Sequence, residues 1–484
     1  MSDSPAPAAS AEPAEFPLVE ELTSVPDIEE ALRRLSRQPH CLLLDSARRD
    51  PLLGRYSFLT ADPFSYLSLR ADGHDSLAIL EKQLEPFAAK SRADLPPFQG
   101  GAAGLLSYDL GRSLEAVPPA RIDEFQTPAL AVGLYDVVLA IDHLENRAWL
   151  VSQGFPEHDP SARRKRAIAR IEQFRSWLTE PISHSHNAMT GSQTKQRLIE
   201  PNELAPQFAV PGPAGLTSNF SADAYLAAIA RAIEYIRAGD IFQVNLSQRL
   251  LCPAHDDSVS LYLRLRRRNP ATFAGYFDLG DFQIVSASPE RFLQIRERRV
   301  EARPIKGTRQ RTARPEADLY AGEDLRLSEK DRAENVMIVD LLRNDLARVC
   351  QSASVCVTQL CHVEVYEYVQ HLVSAVCGTL AEGRTPIDLI RATFPGGSIT
   401  GAPKVRAMEI IAELEPTARG PYCGCLGYLG FDGTLDTSIL IRTITAGRGW
   451  WQAPVGGGIV AQSTPASEYN ETWHKAAGLL RALG

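Results

Sequence analysis

Short apolar segments that end in Gly, Pro or Asp recur along the chain and alternate irregularly with helix-like segments. Residues 129–143 and residues 240–252 (DIFQVNLSQRLLC) are typical of buried strands. Between them, the pattern predicts a helix that Ser221 caps and that Gly239 ends. Because no internal repeat and no long strand–helix–strand series is present, the order of segments predicts an α+β fold with large, mostly antiparallel sheets.

The composition limits the possible classes of protein and partner. The 484 residues carry a formal net charge of −8 at pH 7, so nucleic acid is not an expected partner. No apolar run approaches the length of a membrane-spanning helix, so no membrane partner is expected. The eight cysteines are scattered and lack metal-binding spacing, which predicts reduced thiols and a cytoplasmic protein.

The polar composition of residues 181–218 marks the clearest boundary in the chain. It predicts a linker or excursion between an N-terminal region at 16–180 and a catalytic domain at 219–484. Residues 1–15 are rich in Ala, Pro and Ser and are expected to form a disordered tail. Within the N-terminal region, residues 163–178 predict a basic helix with a solvated face.

Lys306 lies in an unusual local context. Pro304 precedes it and Gly307 follows it, a combination that predicts a turn presenting the lysine to a small cavity. Three arginines lie close in the sequence, and a desolvated lysine in cationic surroundings can act as a nucleophile; they are Arg303, Arg309 and Arg311. An exposed loop lysine remains the alternative at this point.

Two pairs of acidic residues are each spaced to share one face of a helix. Asp331 and Glu334 follow a helix start at Ser328, and Glu468 and Glu471 follow Pro465. Two such helices that met would offer hard oxygen ligands suited to Mg²⁺. Solvated helix faces are the alternative for each pair alone.

Three further features are candidates for binding an anion or for catalysis. A glycine-rich loop with Thr400 and Lys404 leads into a helix with Pro403 near its first turn, which favours a carboxylate. Arg442 lies in an apolar strand and needs an anionic partner, either a structural carboxylate or a substrate carboxylate. His371 also lies in an apolar strand, where a core role and a catalytic role both remain open.

Together these motifs resemble the chorismate-utilising enzymes, a family that includes anthranilate, aminodeoxychorismate, isochorismate and salicylate synthases. The resemblance is densest from residue 221 to residue 477 and follows the family order: SPERF, PIKGT, AENVMIVDLLRNDL, QHLVS, TGAPK, SILIRT, GGGIV and EYNETWHKA. It implies the fold of that family, with the sheets packed together and the helices outside. It also implies that residues 16–180 resemble the N-terminal region of anthranilate synthase component I.

Within the family, Lys306 distinguishes the branches. Anthranilate synthases typically carry alanine at this position, whereas lysine-type aminodeoxychorismate synthases carry PIKGT. Isochorismate and salicylate synthases use a water-activating lysine where this chain has Gln243. The resemblance therefore implies amination of chorismate to 4-amino-4-deoxychorismate, for 4-aminobenzoate and folate synthesis, with anthranilate synthase component I as the alternative. A silent subunit that keeps the fold is a third reading, which the intact acidic pairs oppose.

The resemblance also implies roles for individual residues. Lys306 would be the nucleophile, Glu290 the acid for the leaving hydroxyl, and His371 would have a lesser role. Mg²⁺ would be held by Glu334 and Glu471, with Asp331 and Glu468 acting through water. Chorismate would be bound by the side chains of Arg442 and Tyr422 and by the backbone around Gly401 and Gly458. Thr400 and Lys475 would also contribute to substrate binding.

The resemblance extends to a tryptophan pocket and to a partner subunit. The pocket would include Ser46, Arg55, Tyr56 and Asn269, although the segment NPATFAGYF lacks the methionine typical of tryptophan-inhibited relatives. No glutamine-hydrolysing motif is found, so ammonia is expected from a separate glutamine amidotransferase subunit or from solution.

Overall fold

The computed structural model describes residues 16–51, 53–181, 197–311, 314–365 and 369–484. The tail predicted at 1–15 and residues 182–196 of the predicted linker lie outside the described residues. Up to residue 253 the strands are β1 (Leu18–Glu21), β2 (Leu42–Asp45), β3 (Tyr56–Thr60), β4 (Ser65–Leu69), β5 (Gly101–Leu106), β6 (Leu130–Tyr135), β7 (Val137–Asp142), β8 (Arg147–Ser152), β9 (Phe208–Ala209), β10 (Thr217–Ser218) and β11 (Gln243–Pro253).

The remaining strands are β12 (Phe273–Asp278), β13 (Phe282–Ser288), β14 (Arg291–Arg296), β15 (Arg299–Ala302), β16 (Ile305–Gln310), β17 (Cys356–Val365), β18 (Val369–Thr379), β19 (Gly401–Ala402), β20 (Cys425–Gly430), β21 (Leu435–Ile439), β22 (Thr443–Gly447) and β23 (Trp450–Ile459). The helices are α1 (Ile28–Leu35), α2 (Ser76–Leu84), α3 (Pro160–Thr179), α4 (Ala222–Ala238), α5 (Ser258–Arg268), α6 (Pro315–Leu327), α7 (Glu329–Ala347), α8 (Pro386–Thr393), α9 (Lys404–Leu414) and α10 (Pro465–Leu483).

The strands of the described residues form two sheets, and the recorded pairs are antiparallel. One sheet has 13 strands in the order β1-β8-β7-β3-β2-β12-β13-β22-β23-β11-β10-β9, with β19 also paired to β11. The other has 10 strands in the order β16-β18-β15-β14-β21-β20-β5-β6-β4, with β17 also paired to β18. The predicted α+β class with large antiparallel sheets is confirmed.

Apolar side chains form three cores, and these place the helices outside. One core lies between the sheets, where Phe58 of β3 and Phe277 of β12 pack with Leu426 and Tyr428 of β20. A second covers the outer face of the 13-strand sheet with α1, α3, α5 and α10. The third covers the 10-strand sheet with helices that include α4, α7, α8 and α9. Burial of these faces is the main force that holds the layers together.

The segment at 129–143, expected as one strand, is two strands in different sheets. β6 pairs with β4 and β5, whereas β7 pairs with β3 and β8. Between them lies Asp136, a buried carboxylate that accepts hydrogen bonds from Arg166 and Arg170 of α3. The predicted solvated face of α3 is wrong at Arg170, because a buried charge requires an opposite charge and α3 supplies it.

The boundary predicted at 181–218 divides the sequence and not the sheets. Each sheet combines strands from before residue 181 with strands from after residue 218. The described part of this region, from residue 197, adds β9 and β10 to the edge of the 13-strand sheet. In the described ranges, none of the helices has the length and apolar character needed to cross a membrane.

Candidate active site

Lys306 lies on a strand and not in the predicted turn. Lys306 pairs with Leu372 of β18 in the sheet, and the register between the two strands shifts immediately after Lys306. This bulge is possible because Gly307 has a φ of +70°. The bulge also seats the strand against the helices, since a Cβ on Gly307 would lie 2.6 Å from Leu325 Cδ1 and 2.9 Å from Asp331 Cγ.

The cationic surroundings expected for Lys306 are not found. The three neighbouring arginines pair with carboxylates; the pairs are Arg303 with Glu364, Arg309 with Asp324 and Arg311 with Asp318. The charged groups whose pKa Lys306 influences are instead acidic, namely Glu290, Glu334 and Glu471. Lys306 therefore lies near carboxylates that its sequence neighbours do not indicate, and Lys330 and Lys475 act on the same group of carboxylates.

Ser398 links Lys306 to Glu290. Lys306 Nζ donates to the carbonyl oxygen of Ser398 at 2.9 Å, and Ser398 Oγ donates to Glu290 Oε1 at 2.9 Å. Burial raises the pKa of Glu290 to about 7, although Lys306 and the Ser398 hydroxyl oppose the rise. A carboxyl group with this pKa can hold a proton near neutral pH and release it to a leaving group.

The carboxylates predicted to bind Mg²⁺ approach a shared glycine segment. A Cβ on Gly457 would lie 3.3 Å from Glu471 Oε1 and 3.5 Å from Glu468 Oε2, and one on Gly458 would lie 3.5 Å from Glu334 Oε2. Glu468 Oε2 is buried and has no hydrogen-bond partner among the described residues. These hard oxygen donors fit Mg²⁺, which binds to one or two carboxylates and keeps water.

Two further observations concern the arrangement of these carboxylates and their pKa values. Among the described residues, no group of three or more His, Cys, Asp or Glu side chains is arranged to hold a metal ion. Burial raises the pKa of Glu334, with Asp331 and Glu471 adding to the rise. Burial also acts to raise the pKa of Glu471, but the ion pair with Lys475 at 2.7 Å lowers it overall.

The remaining members of this cluster are held by ion pairs. Lys330 of α7 donates to Glu468 Oε1 at 2.9 Å, and Lys475 also donates to the carbonyl oxygen of Gly456 at 2.9 Å. Asp331 lies 3.4 Å from Arg309, so it faces β16. Mg²⁺ binding by Glu334 and Glu471, assisted by Asp331 and Glu468, stays a prediction.

Arg442 and His371 lie near each other. Arg442 lies in the connection between β21 and β22 and not inside a strand. Burial lowers its pKa, and its guanidinium has no hydrogen bond or ion pair with any described residue. Burial also lowers the pKa of His371 to about 4, and Arg442 and Arg48 contribute to the shift. The structural carboxylate considered as a partner for Arg442 is thus absent from the described residues, which favours a substrate anion.

The glycine-rich loop is anchored on β11. Gly401 pairs with Val244, and a Cβ on Gly401 would lie 2.1 Å from the carbonyl oxygen of Gln243. Thr400 Oγ1 donates to the carbonyl oxygen of Gly396 at 2.9 Å. Lys404 forms an ion pair with Asp345 at 2.7 Å. Its charge is therefore neutralised within the protein and is not available to a bound anion. Tyr422 is buried in the core beside α4, and its binding role stays a prediction.

A cavity of about 290 Å³ lies between the sheets and contains most of the predicted tryptophan pocket. Ser46, Arg55 and Tyr56 line it, together with Phe273 and Tyr428. Asn269 does not line it, because its side chain lies beside Gly478 of α10. Tryptophan binding in this cavity stays a prediction.

Sequence reasoning missed Ser398, and it named Gln243 only as the position that lacks a water-activating lysine. Ser398 lies two residues before Thr400 in the glycine-rich loop, but no local pattern separates it from other loop serines. Gln243 is fully buried, and neither atom of its amide has a hydrogen-bond partner among the described residues. A Cβ on Gly458 would lie 2.3 Å from Gln243 Nε2, so the amide occupies the space over that glycine.

One known protein family matches most of the chain. The family described as chorismate binding enzyme matches residues 40–481. The chain belongs to the chorismate binding enzyme family. The match includes every residue assigned above to the candidate active site.

Individual members of the chorismate binding enzyme family are similar over nearly their whole length. Anthranilate synthase component 1 of Thermus thermophilus is 41% identical over 462 residues, which cover 93% of this chain and 94% of the relative. Aminodeoxychorismate synthase component 1 of Salmonella typhimurium is 41% identical over 460 residues, covering 92% and 93%. The structure of anthranilate synthase component I from Streptococcus pneumoniae matches with a TM-score of 0.73 at 30% identity, covering 89% of this chain and 93% of that one.

Proposed function

We propose that the chain is the chorismate-aminating component of a cytoplasmic aminodeoxychorismate synthase. Overall sequence identity does not distinguish the anthranilate synthase branch from the aminodeoxychorismate synthase branch, because a component of each is 41% identical to the chain. The observation that carries the proposal is Lys306, whose Nζ lies 2.9 Å from Ser398, the residue that also contacts Glu290. Alanine, typical of anthranilate synthases here, has no nucleophile.

The proposed reaction replaces the C4 hydroxyl of chorismate with an amino group. Lys306, as a neutral amine, attacks C2 while the two conjugated ring double bonds shift and the C4 oxygen leaves as water with the proton of Glu290. Ammonia then attacks C4 and expels Lys306, which gives 4-amino-4-deoxychorismate. Because Glu290 has a pKa of about 7, a substantial fraction is protonated at neutral pH.

Two sets of residues would hold the substrate in this reaction. Arg442, which lacks a described partner, would bind a carboxylate of chorismate with help from Tyr422 and the backbone near Gly401 and Gly458. Glu334 and Glu471 would hold Mg²⁺, with Asp331 and Glu468 behind them. Bound there, Mg²⁺ would neutralise the second carboxylate of the substrate.

Ammonia would come from a separate glutamine amidotransferase subunit. The relatives are named component 1, which supports an assembly of two components.

The product decides between the proposed function and its alternative. Purified chain would be incubated with chorismate, Mg²⁺ and ammonium, with products identified by mass spectrometry and pyruvate measured. An aminated product without pyruvate supports the proposal. Anthranilate with stoichiometric pyruvate would instead assign the chain to the anthranilate synthase branch.

Substitution of the lysine tests its role directly. Lys306→Ala is expected to lower amination turnover by at least about 100-fold and to shift residual chemistry toward anthranilate, since the nucleophile is lost. Lys306→Arg is the matched control, because it keeps the positive charge without a nucleophilic amine. Full amination turnover in either variant would contradict the nucleophile role.

A further inference from the structure

Ser398 contacts both proposed reacting side chains, and it does so with different atoms. Its carbonyl oxygen accepts from Lys306 Nζ at 2.9 Å, while its hydroxyl donates to Glu290 Oε1 at 2.9 Å. Lys306 belongs to β16, and Glu290 lies at the start of β14. These two strands are not neighbours in the sheet, so besides the Ile305 backbone N–H, which bonds the Glu290 carboxyl group, the link between them runs through Ser398.

The turn that carries Ser398 is itself held in place. Ser398 lies in a single 3-10 turn, Gly397–Ile399. The side chain of Asn245 donates to the Ser398 carbonyl oxygen at 3.2 Å, and the Asn245 backbone N–H donates to Thr400 at 2.8 Å. On the other side, Arg419 donates to the carbonyl oxygen of Ile399 at 3.0 Å. Side chains from two other parts of the fold thus limit where Ser398 can lie.

We propose that Ser398 is a positioning residue, whose carbonyl oxygen aims the Lys306 amine and whose hydroxyl holds the Glu290 carboxyl toward the same point. The proposal rests on the proposed function only for the reaction assigned to those two side chains. A single serine then couples the group that attacks to the group that protonates the leaving oxygen. Without the hydroxyl, Glu290 loses the one side-chain hydrogen bond that the described residues give its carboxyl group.

The hydroxyl also affects the charge of Glu290. The charged or titratable groups that act on this carboxyl are Lys306 from β16, Lys475 from α10 and Cys423 from the loop before β20. The Ile305 backbone N–H and the Ser398 hydroxyl donate to it, and both lower its pKa. Because donation to a carboxylate stabilises the charged form, loss of the hydroxyl raises the pKa of Glu290 further.

The test uses Ser398→Ala in the full-length protein, which keeps the carbonyl group and removes only the hydroxyl. The alkaline limb of kcat/KM against pH is expected to move up by about one pH unit, and kcat to fall about tenfold, as for a lost hydrogen bond to a charged group. Ser398→Thr retains a hydroxyl and is expected to restore the limb. Ser288→Ala is the matched control, because that buried hydroxyl bonds the backbone of Glu290 and of Ile439 but not the Glu290 carboxyl group.

A second readout does not need turnover. With carboxyl groups labelled by ¹³C, the Glu290 resonance, assigned with Glu290→Gln, would be titrated by NMR in the wild type and in Ser398→Ala. A higher midpoint in Ser398→Ala supports the proposal even if the wild type proves to make anthranilate. An unchanged midpoint, or an equal shift in Ser288→Ala, would overturn it.

Discussion

At the residue scale, the charged groups around Lys306 are not the ones that its sequence neighbours suggest. The arginines close to it in the sequence pair with carboxylates of α6, of α7 and of β17. The carboxylates that interact with Lys306 come from residue 290 and from two distant helices. A side chain responds to charges a few ångströms away, and only the folded chain determines which charges those are.

Glu290 should reduce stability increasingly as the pH rises. Burial raises its pKa in the folded protein from 4.5 to about 7, so the folded state binds the proton more tightly than the unfolded chain. The cost of the buried carboxylate therefore grows between about pH 4.5 and pH 7 and is constant above that. Glu290→Gln removes this pH-dependent cost.

We expect Glu290→Gln to become more stable than the wild type as the pH rises. Between pH 5 and pH 8, the difference in their free energies of unfolding should change by at most about 3 kcal/mol. Urea unfolding at both pH values measures the change, and turnover should be lost in the same variant. A stability difference that is independent of pH would show that Glu290 is not held in its neutral form by burial.

Arg442 should matter for binding more than for stability. No described residue pairs with its guanidinium. Arg442→Ala therefore removes a positive charge whose partner would be a carboxylate of the substrate. We expect KM for chorismate to rise about 10- to 100-fold, with an unfolding temperature close to that of the wild type.

The matched control for Arg442 is a buried arginine that has a carboxylate partner. Arg419 pairs with Glu415 at 2.6 Å, with both side chains at most 5% exposed. Because Arg419→Ala leaves a buried carboxylate unpaired, it is expected to cost about 3 kcal/mol or more of stability. If Arg442→Ala lost as much stability with KM unchanged, Arg442 would be structural.

At the element scale, the bulge in β16 lies directly after Lys306 and seats the strand against two helices. Gly307 combines a φ of +70° with close contact to α6 and α7. Since a strand presents successive side chains to opposite faces, one extra residue changes the direction of those that follow.

We therefore expect Gly307→Ala to lower kcat at least about tenfold and to destabilise the fold by about 2 kcal/mol. Gly433→Ala is the matched control, because Gly433 has a φ of +84° but no atom within 4 Å of its Cβ position. It carries the backbone strain alone, and turnover should be unchanged. Chemical denaturation and steady-state kinetics compare the two, and equal effects on kcat would contradict a local role for the bulge.

At the scale of the whole molecule, the packing of two sheets between layers of helices brings α7 and α10 to the same glycine segment of β23. Glu334 of α7 lies near Gly458, while Glu468 and Glu471 of α10 lie near Gly457. Each acidic pair alone resembles an ordinary solvated helix face. Their meeting depends on the packing of both sheets and is a property of the complete fold.

Removal of both central carboxylates should abolish the response to Mg²⁺. In Glu334→Ala combined with Glu471→Ala, we expect Mg²⁺ affinity to fall at least about tenfold and turnover to lose its Mg²⁺ dependence. Mg²⁺ titration followed by tryptophan fluorescence provides a readout besides activity. Asp340→Ala, on the exposed side of α7, is the control. Unchanged Mg²⁺ affinity in the double variant would rule out this metal site.

The sequence by itself determined the features that depend on local chemistry. The Ser221 cap of α4, its end at Gly239 and the Ser328 cap of α7 follow from backbone and hydrogen-bonding preferences within a few residues. The α+β class also follows from segment patterns, and the order of motifs was sufficient to recognise the family.

Only the tertiary structure decided which distant groups meet. Contacts between remote segments divide residues 129–143 between two sheets, place Asn269 away from the cavity and bring carboxylates close to Lys306. The link from Lys306 through Ser398 to Glu290 is of the same kind. Local preferences act over a few bonds, whereas burial and charge act through space, so these contacts are fixed only when the layers pack.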